Sequence, residues 1–217
     1  MFGGRPGDDA TALAEGAQVL GLGLSPQEAK QLLAYLALLQ RWNATYNLTA
    51  VRDPQAMLVQ HLLDCLAVLP PLLRQLPTGG RVLDVGSGGG LPGVVLAVMA
   101  PQLDVTCVDT VGKKAAFVRQ VAGALRLPNL RAVHARVERL TAAPFALITS
   151  RAFASLADFV ALTRAHLAEG GSWMAMKGQT PDDEIAGLPA GVTVFHVEQL
   201  QVPGLDAQRC LVWIQPI

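Results

Sequence analysis

Apolar positions recur at steps of three and four over residues 12–44, the period of an amphipathic helix. Leu32, Leu33, Leu36, Leu39 and Trp42 make its stripe. Ahead of them Ser25-Pro26-Gln27-Glu28 is a capping signature, with Ser25 at the N-cap, Pro26 at N1 and Glu28 at N3. A second helical stretch, 55–69, opens at Asp53-Pro54. From Arg81 onward the pattern changes. Apolar runs of strand length (81–85, 104–108, 130–134, 145–149, 172–176) alternate with helical stretches (91–100, 112–126, 155–168), the last closed by Gly170-Gly171. Such alternation predicts a parallel sheet with helices on both faces and right-handed crossovers. The tail, 192–202 and 209–215, is β-rich around Pro203-Gly204, which predicts an antiparallel hairpin closing the sheet.

The most informative stretch is R-V-L-D-V-G-S-G-G-G-L-P-G, residues 81–93. An apolar strand runs into Gly86, Gly88, Gly89 and Gly90, where a chain leaving a sheet must turn sharply and expose backbone to a ligand. Leu91-Pro92 then opens a helix, with Pro92 expected at its first turn. The next strand ends in Asp109, and an acid about 20 residues past the first glycine is placed to accept from ribose hydroxyls. A dinucleotide fingerprint would want glycine at Leu91. The G-x-G-x-G spacing with Asp84 two residues ahead instead resembles the first motif of S-adenosyl-L-methionine (AdoMet) methyltransferases. The plain alternative is a tight βα turn in a ligand-free domain. Ligands of open α/β sheets bind beyond the carboxyl ends of the strands. Those ends are Gly86, Ser87, Gly88 and on to Leu91; Asp109, Thr110 and Val111; Arg136, Val137 and Glu138; Ser150 to Phe153 with Arg151; and Lys177-Gly178. S-R-A-F at the fourth end is neither an amine-binding D/N-P-P-Y/F turn nor a cysteine nucleophile, so an exocyclic amine or a cytosine carbon is disfavoured as target.

Composition adds bounds. With 217 residues, 51% of them hydrophobic, one α/β domain plus an extension is affordable without staples. The expected division is an N-terminal tail and helical extension over 1–70 and a methyltransferase domain over 71–217. Cys65, Cys107 and Cys210 are far apart, indicating no metal site and no disulfide framework. Residues 1–10 read as a frayed start with no leader, and no apolar run of about 20 residues is evident. The expectation is a cytoplasmic, monomeric protein with no membrane partner.

Charge changes the picture further. The formal net charge is zero, yet between Lys113 and Arg164 nine basic residues face two acidic ones, leaving eight basic and fifteen acidic elsewhere. That asymmetry points either to a polyanion partner or to separately solvated arginines. Trp42, Asn43, Tyr46 and Asn47 could stack on and bond a base, or Asn47 could simply cap a helix. His61, one turn before Asp64, is a second base-pocket candidate or a structural histidine.

In order along the chain stand N-L-T-A-V-R-D-P, H-L-L-D-C, L-D-V-G-S-G-G-G-L-P-G, G-K-K-A-A-F, A-R-V-E and S-R-A-F-A-S-L. Together these resemble the small-subunit ribosomal RNA guanine-N7 methyltransferase family, also called glucose-inhibited division protein B. Cys65 stands where that family more often has serine. The resemblance implies a class I AdoMet-dependent methyltransferase, Rossmann-like, mostly parallel with the antiparallel C-terminal hairpin. It implies methyl transfer to N7 of one guanine in small-subunit (16S) ribosomal RNA, with the RNA or ribosomal subunit as partner. By its pattern Gly86, Leu91, Asp109, Val137 and Glu138 hold AdoMet, with Arg151 beside it. Arg151 sits oddly near a sulfonium; it pairs with the methionine carboxylate, grips an RNA phosphate, or forms an ion pair with Asp158. Lys177 has the same choices, and Asn47 and His61 are further base-pocket candidates. The competing classes are a small-metabolite methyltransferase, which needs no basic segment, and a non-catalytic nucleotide-binding module, which needs no ribose acid.

Overall fold

A computed structural model describes residues 8–217. Of the expected frayed start, residues 1–7 lie outside the described residues, and Asp8 to Ala10 already belong to α1 (Asp8–Val19). Helix α2 (Pro26–Tyr46) begins with the expected box. The Glu28 amide donates to Ser25 Oγ at 3.2 Å, and Glu28 Oε2 accepts from the Ser25 amide at 2.7 Å. It ends at Asn47, whose φ of 50° is the left-handed conformation of a helix C-cap.

The stretch after Asp53 is less regular than its apolar pattern predicts. Helix α3 (Pro54–Met57) passes into a π turn over Leu58–Leu63, then α4 (Asp64–Leu66), and a further helix α5 (Leu69–Gln75) follows. By length and composition Pro54–Gln75 is apolar enough to cross a membrane, contrary to expectation. However, 72% of its most apolar window is buried inside the protein, as suits a core helix.

The sheet follows the alternation. Strands β1 (Gly80–Val85), β2 (Leu103–Asp109), β3 (Leu130–His134), β4 (Phe145–Arg151), β5 (Leu167–Lys177), β6 (Val192–Leu200) and β7 (Arg209–Pro216) form one seven-stranded sheet. Its order is β3-β2-β1-β4-β5-β7-β6, with β1 to β5 parallel and the β6–β7 hairpin antiparallel. The crossovers carry α6 (Gly93–Met99), α7 (Gly112–Ala124) and α8 (Leu156–Thr163), and α9 (Asp182–Ala186) follows β5. Two details differ from expectation. Pro92 occupies the N-cap of α6 rather than its first turn. Gly170-Gly171 do not end a helix: α8 stops at Thr163, and the glycines lie in β5, where pairing jumps from Phe145↔Leu167 to Leu147↔Ser172. Gly170 takes a φ of +71° inside that irregularity, which a strand interior accepts readily only from glycine.

Alternation along each strand sends side chains to two cores. Val82, Leu147, Met174 and Trp213 face one side and pack with Tyr35, Leu39, Leu62 and Leu66 of the N-terminal helices. Leu83, Ile148, Trp173 and Val212 face the other and pack under α8. Because β1 lies between β2 and β4, the chain leaves its two neighbours in opposite directions, and a cleft opens beyond its carboxyl end.

Candidate active site

The cleft is shaped by backbone. Gly86 leaves β1 at a φ of +66°, and a Cβ there would meet Phe153 Cδ2 at 2.7 Å, so only glycine lets the ring close over the loop. Gly88, at +57°, has the opposite surroundings: an added Cβ would stand in open space, with Gly86 O the nearest atom at 3.9 Å. The Gly88 amide donates to Asp109 Oδ2 at 3.0 Å and the Val111 amide to Oδ1 at 2.8 Å. Asp109 therefore ties the loops after β1 and β2 together. Beneath them Asp84 accepts from the Gly93 amide at 2.9 Å, while its Oδ1 is buried without a partner. Burial pushes the Asp84 carboxyl up to about 7, against the opposing pull of the Gly93 amide and the Arg151 charge. Across the β1–β4 pairing, Thr149 Oγ1 is also buried and unpartnered.

Two cavities adjoin at this edge. One, of about 360 Å³, is lined by Gly86, Asp109, Thr110, Val111, Val137 and Glu138 together with Phe153 and Arg136. That volume suits a small-molecule ligand. It joins six of the cofactor residues expected from the strand ends. Ser87 is buried in the loop, and its carbonyl accepts from the Gly90 and Leu91 amides. Leu91 buries its side chain in the core and lines neither cavity. The second cavity, of about 370 Å³, is lined by Asp64, Arg151, Met176, Lys177, Gly178 and Arg209, and Ala152 forms the shared wall. Ala152 has a φ of 54°, a strained conformation for alanine that turns the chain between Arg151 and Phe153.

The charges in the second cavity are paired within the protein. Asp64 accepts from Arg209 Nε at 2.9 Å and lies 3.4 Å from Arg151 Nη1, which also donates to the Gln60 carbonyl at 2.9 Å. Asp158 is not the partner of Arg151; it accepts from Ser155 Oγ at the N-terminus of α8. Lys177 contacts both carboxylate oxygens of Glu184, at 2.8 and 2.9 Å.

The remaining candidates lie elsewhere. Asn47 caps α2 and accepts from Arg52, and Asn43 is buried with Oδ1 holding the Thr49 amide. Trp42 packs on Phe117 and Tyr46. His61 is buried with Nε2 at 2.9 Å from Thr49 Oγ1, and its Nδ1 is unpartnered. Burial and the Arg151 charge lower its pKa to about 4. Neither Asn47 nor His61 lines either cavity. The basic segment divides as well: Lys114 and Arg136 line the first cavity, whereas Arg131 pairs with Asp104 at the far end of the sheet.

Sequence reasoning missed Asp64 as the partner of Arg151, and missed Arg209 and Tyr35 altogether. A signal existed for Asp64, since a lone carboxylate in an apolar helix needs a basic partner. Nothing in the spacing identifies an arginine 145 residues away.

Comparison with known proteins bears on what this edge does. A family model described as rRNA small subunit methyltransferase G matches residues 28–212. The chain is 65% identical over 209 residues to a ribosomal RNA small subunit methyltransferase G of Leptothrix cholodnii, covering 96% of each chain. It is 60% identical over 215 residues to the protein of that name from Acidovorax sp. JS42, covering 95% of each. Among solved structures, Burkholderia thailandensis 1,6-didemethyltoxoflavin-N1-methyltransferase with S-adenosylhomocysteine superposes with a TM-score of 0.58 at 16% identity, over 84% of this chain and 89% of that one. This last likeness is one of fold.

Proposed function

Because the chain belongs to the rRNA small subunit methyltransferase G family, we propose that it transfers a methyl group from AdoMet to N7 of a guanine in 16S ribosomal RNA. The observation that carries the reading is the shared wall at Ala152. A cavity with a glycine loop and a ribose-placed acid on one side meets a cavity lined by three basic side chains on the other.

The residues present fit the cofactor. Gly88 has open space where a Cβ would stand, and Gly86, two residues before it, lines a cavity of suitable size. Asp109 is placed to accept from ribose hydroxyls, and Val137 and Glu138 to meet the adenine. When bound, AdoMet supplies a methyl carbon already made electrophilic by its sulfonium. On the other side, Arg151 and Arg209 share the single carboxylate of Asp64 and so leave one positive charge over for a phosphate-bearing substrate, and Met176 offers an apolar surface for a base. The chain's own work is to hold the guanine against the shared wall with N7 toward the first cavity. The helices before residue 70 act as an extension of the methyl-transfer domain, and the protein works as a monomer where ribosomal subunits assemble.

The test is incubation of small subunits from a deletion strain with the protein and AdoMet, followed by nuclease digestion and mass spectrometry of the RNA. N7-methylguanine at one position is expected. A methyl group on another atom, or none, overturns the reading.

A further inference from the structure

The end of α2 arrives at the same edge of the sheet as the two cavities. Gln31 Nε2, early in α2, donates at 2.8 Å to the Leu125 carbonyl at the far end of α7, so α2 runs back along α7 toward the carboxyl end of β2. Late in α2, Trp42 packs on Phe117 with ring centroids 5.4 Å apart, and Phe117 stands one turn after Lys113. On the other flank the loop after α2 is joined to the π turn. Thr49 Oγ1 lies 2.9 Å from His61 Nε2, and the neighbouring Gln60 carbonyl accepts from Arg151 at the end of β4. The segment from Tyr46 to Arg52 therefore borders the cleft without lining either cavity.

This border is held rigid from beneath. Asn43, 4% exposed, accepts from the Thr49 amide at 2.9 Å and donates to the Val51 carbonyl at 3.4 Å, while Thr49 Oγ1 accepts from the Val51 amide at 3.2 Å. Burying polar side chains is costly unless they are bonded, and here buried Asn43 and His61 both turn their bonds to a surface loop. What the loop presents is not needed for packing. Tyr46 is 40% exposed, its ring leaning on Trp42 with centroids 5.0 Å apart. Arg52 is exposed as well; its Nη2 donates to Asn47 Oδ1 at 3.1 Å, and among the described residues it has no carboxylate partner. Asp53, next to it, is engaged in capping α3 through the Ala56 amide. An aromatic face backed by a second ring, beside a fixed guanidinium that no acid neutralises, is a pairing suited to unpaired nucleotides: the ring stacks a base and the cation meets a phosphate. A protein partner would call for an apolar patch with a charge-free centre, whereas the exposed neighbours of Tyr46 are small or polar.

We infer that Tyr46, Asn47 and Arg52 form a second RNA subsite. Tyr46 stacks on an unpaired base of the strand that carries the target guanine, and Arg52, held by Asn47, meets a phosphate of that strand. The inference rests on the RNA-methylation reading above. It gives a use to the W-N-A-T-Y-N-L-T segment, which neither cavity takes up. A contact this far from the reacting atoms binds substrate and transition state alike, so the subsite acts on capture of the RNA and not on methyl transfer.

Small subunits from a deletion strain are the probe, in two measurements. In steady-state methylation with AdoMet saturating, Tyr46→Ala should raise KM for the subunit by about fivefold to a hundredfold, the range of one base–aromatic stack, with kcat held within about twofold. Tyr46→Phe keeps the ring and should stay within about twofold of the parent in both. Arg52→Gln should raise KM too, and lower the slope of log K against log salt by about one unit. In ultraviolet crosslinking of the same mixture without AdoMet, a peptide containing Tyr46 should carry a nucleotide from the loop of the target guanine. A kcat that falls in Tyr46→Ala while KM holds, or a KM unchanged in both Tyr46→Ala and Arg52→Gln, overturns the inference. So does a raised KM whose crosslinks join Tyr46 to a ribosomal protein in place of RNA. The crosslink and the salt slope are read without methyl transfer, so they decide the subsite whichever atom is modified. A parent protein that binds the subunit and leaves N7 unmodified counts against the proposed function instead.

Discussion

The Tyr35 hydroxyl donates to the Gly89 carbonyl at 2.7 Å, joining the middle of α2 to the glycine loop. Tyr35 is fully buried, and burial holds its phenol well above its ordinary range, so it is a neutral donor at every physiological pH. Gly89 is also close-packed, since an added Cβ would meet Leu39 Cδ1 at 3.0 Å. The N-terminal helices thus set the height of the loop against which the cofactor would lie.

Tyr35→Phe removes that donor without changing the ring packing. The orphaned Gly89 carbonyl should cost about 1–3 kcal/mol of stability. AdoMet affinity should fall as well, because the loop loses its support. Urea unfolding and calorimetry check the two effects; a stability loss with unchanged affinity would confine Tyr35 to the core.

Asp109→Ala should weaken AdoMet binding by about 1.5–3 kcal/mol, the worth of hydrogen bonds to a charged group. The Gly88 and Val111 amides lose their acceptor at the same time. Asp109→Asn keeps one acceptor oxygen and should fall between the two in calorimetric titration. Unchanged affinity in the alanine variant removes Asp109 from the ribose role.

Much of the fold was legible because two periodicities carry it. The shift from helical spacing to short apolar runs at Arg81 marks where the sheet begins, and the tail hairpin follows from β-rich runs about Pro203-Gly204. The cofactor side of the cleft was legible for a related reason: a glycine loop and the acid ending the next strand are local features of one βαβ unit. The substrate side was not. The Asp64 contacts join residues 87 and 145 positions apart, and the π turn that exposes the Gln60 carbonyl leaves no mark in an apolar run. Gly170-Gly171 misled because glycine ends helices and interrupts strands alike, and only pairing with β4 decides between them.

Two buried groups should pull stability against pH in opposite directions. Asp84 titrates near 7 rather than 3.8, so between those values the unfolded chain has lost a proton that the folded chain keeps, and stability falls as pH rises. His61 titrates near 4 rather than 6.5, so across that window the unfolded chain holds the extra proton, and stability rises with pH. Each slope is at most about 1.4 kcal/mol per pH unit. The two overlap from about pH 4 to 6.5 and should largely cancel in the parent protein. Asp84→Asn should unmask the rise, and His61→Gln the fall, in urea midpoints measured from pH 4 to 8. Parallel curves for all three proteins would reject both assignments.

RNA binding should depend steeply on salt, but only part of the basic segment should contribute. Lys113 is exposed at the start of α7, just after the loop lining the first cavity, whereas Arg126 follows the far end of that helix and Arg131 is paired with Asp104. Lys113→Glu should reduce the slope of log K against log salt by about one unit, and Arg126→Glu and Arg131→Glu should leave it unchanged. A parent slope near zero would make the whole segment solvated surface.

Methyl transfer itself should need no general base. Guanine N7 carries an in-plane lone pair and loses no proton when methylated, so alignment is the protein's task, and orientation of this kind can supply about 7–11 kcal/mol. The residues around the shared wall agree. Arg151, Lys177 and Arg209 are cations, Asp64 is held between two of them, and Met176 is apolar. Asp84, whose carboxyl is pushed up to about 7, accepts from the Gly93 amide beneath the loop and lines neither cavity. None of the chain's four histidines lines either cavity. Single-turnover methylation with RNA and AdoMet saturating should therefore stay nearly flat between about pH 6.5 and 8.5. A rate climbing tenfold per pH unit would mean that the reacting atom must first lose a proton, as guanine N1 does, and the N7 assignment would fall.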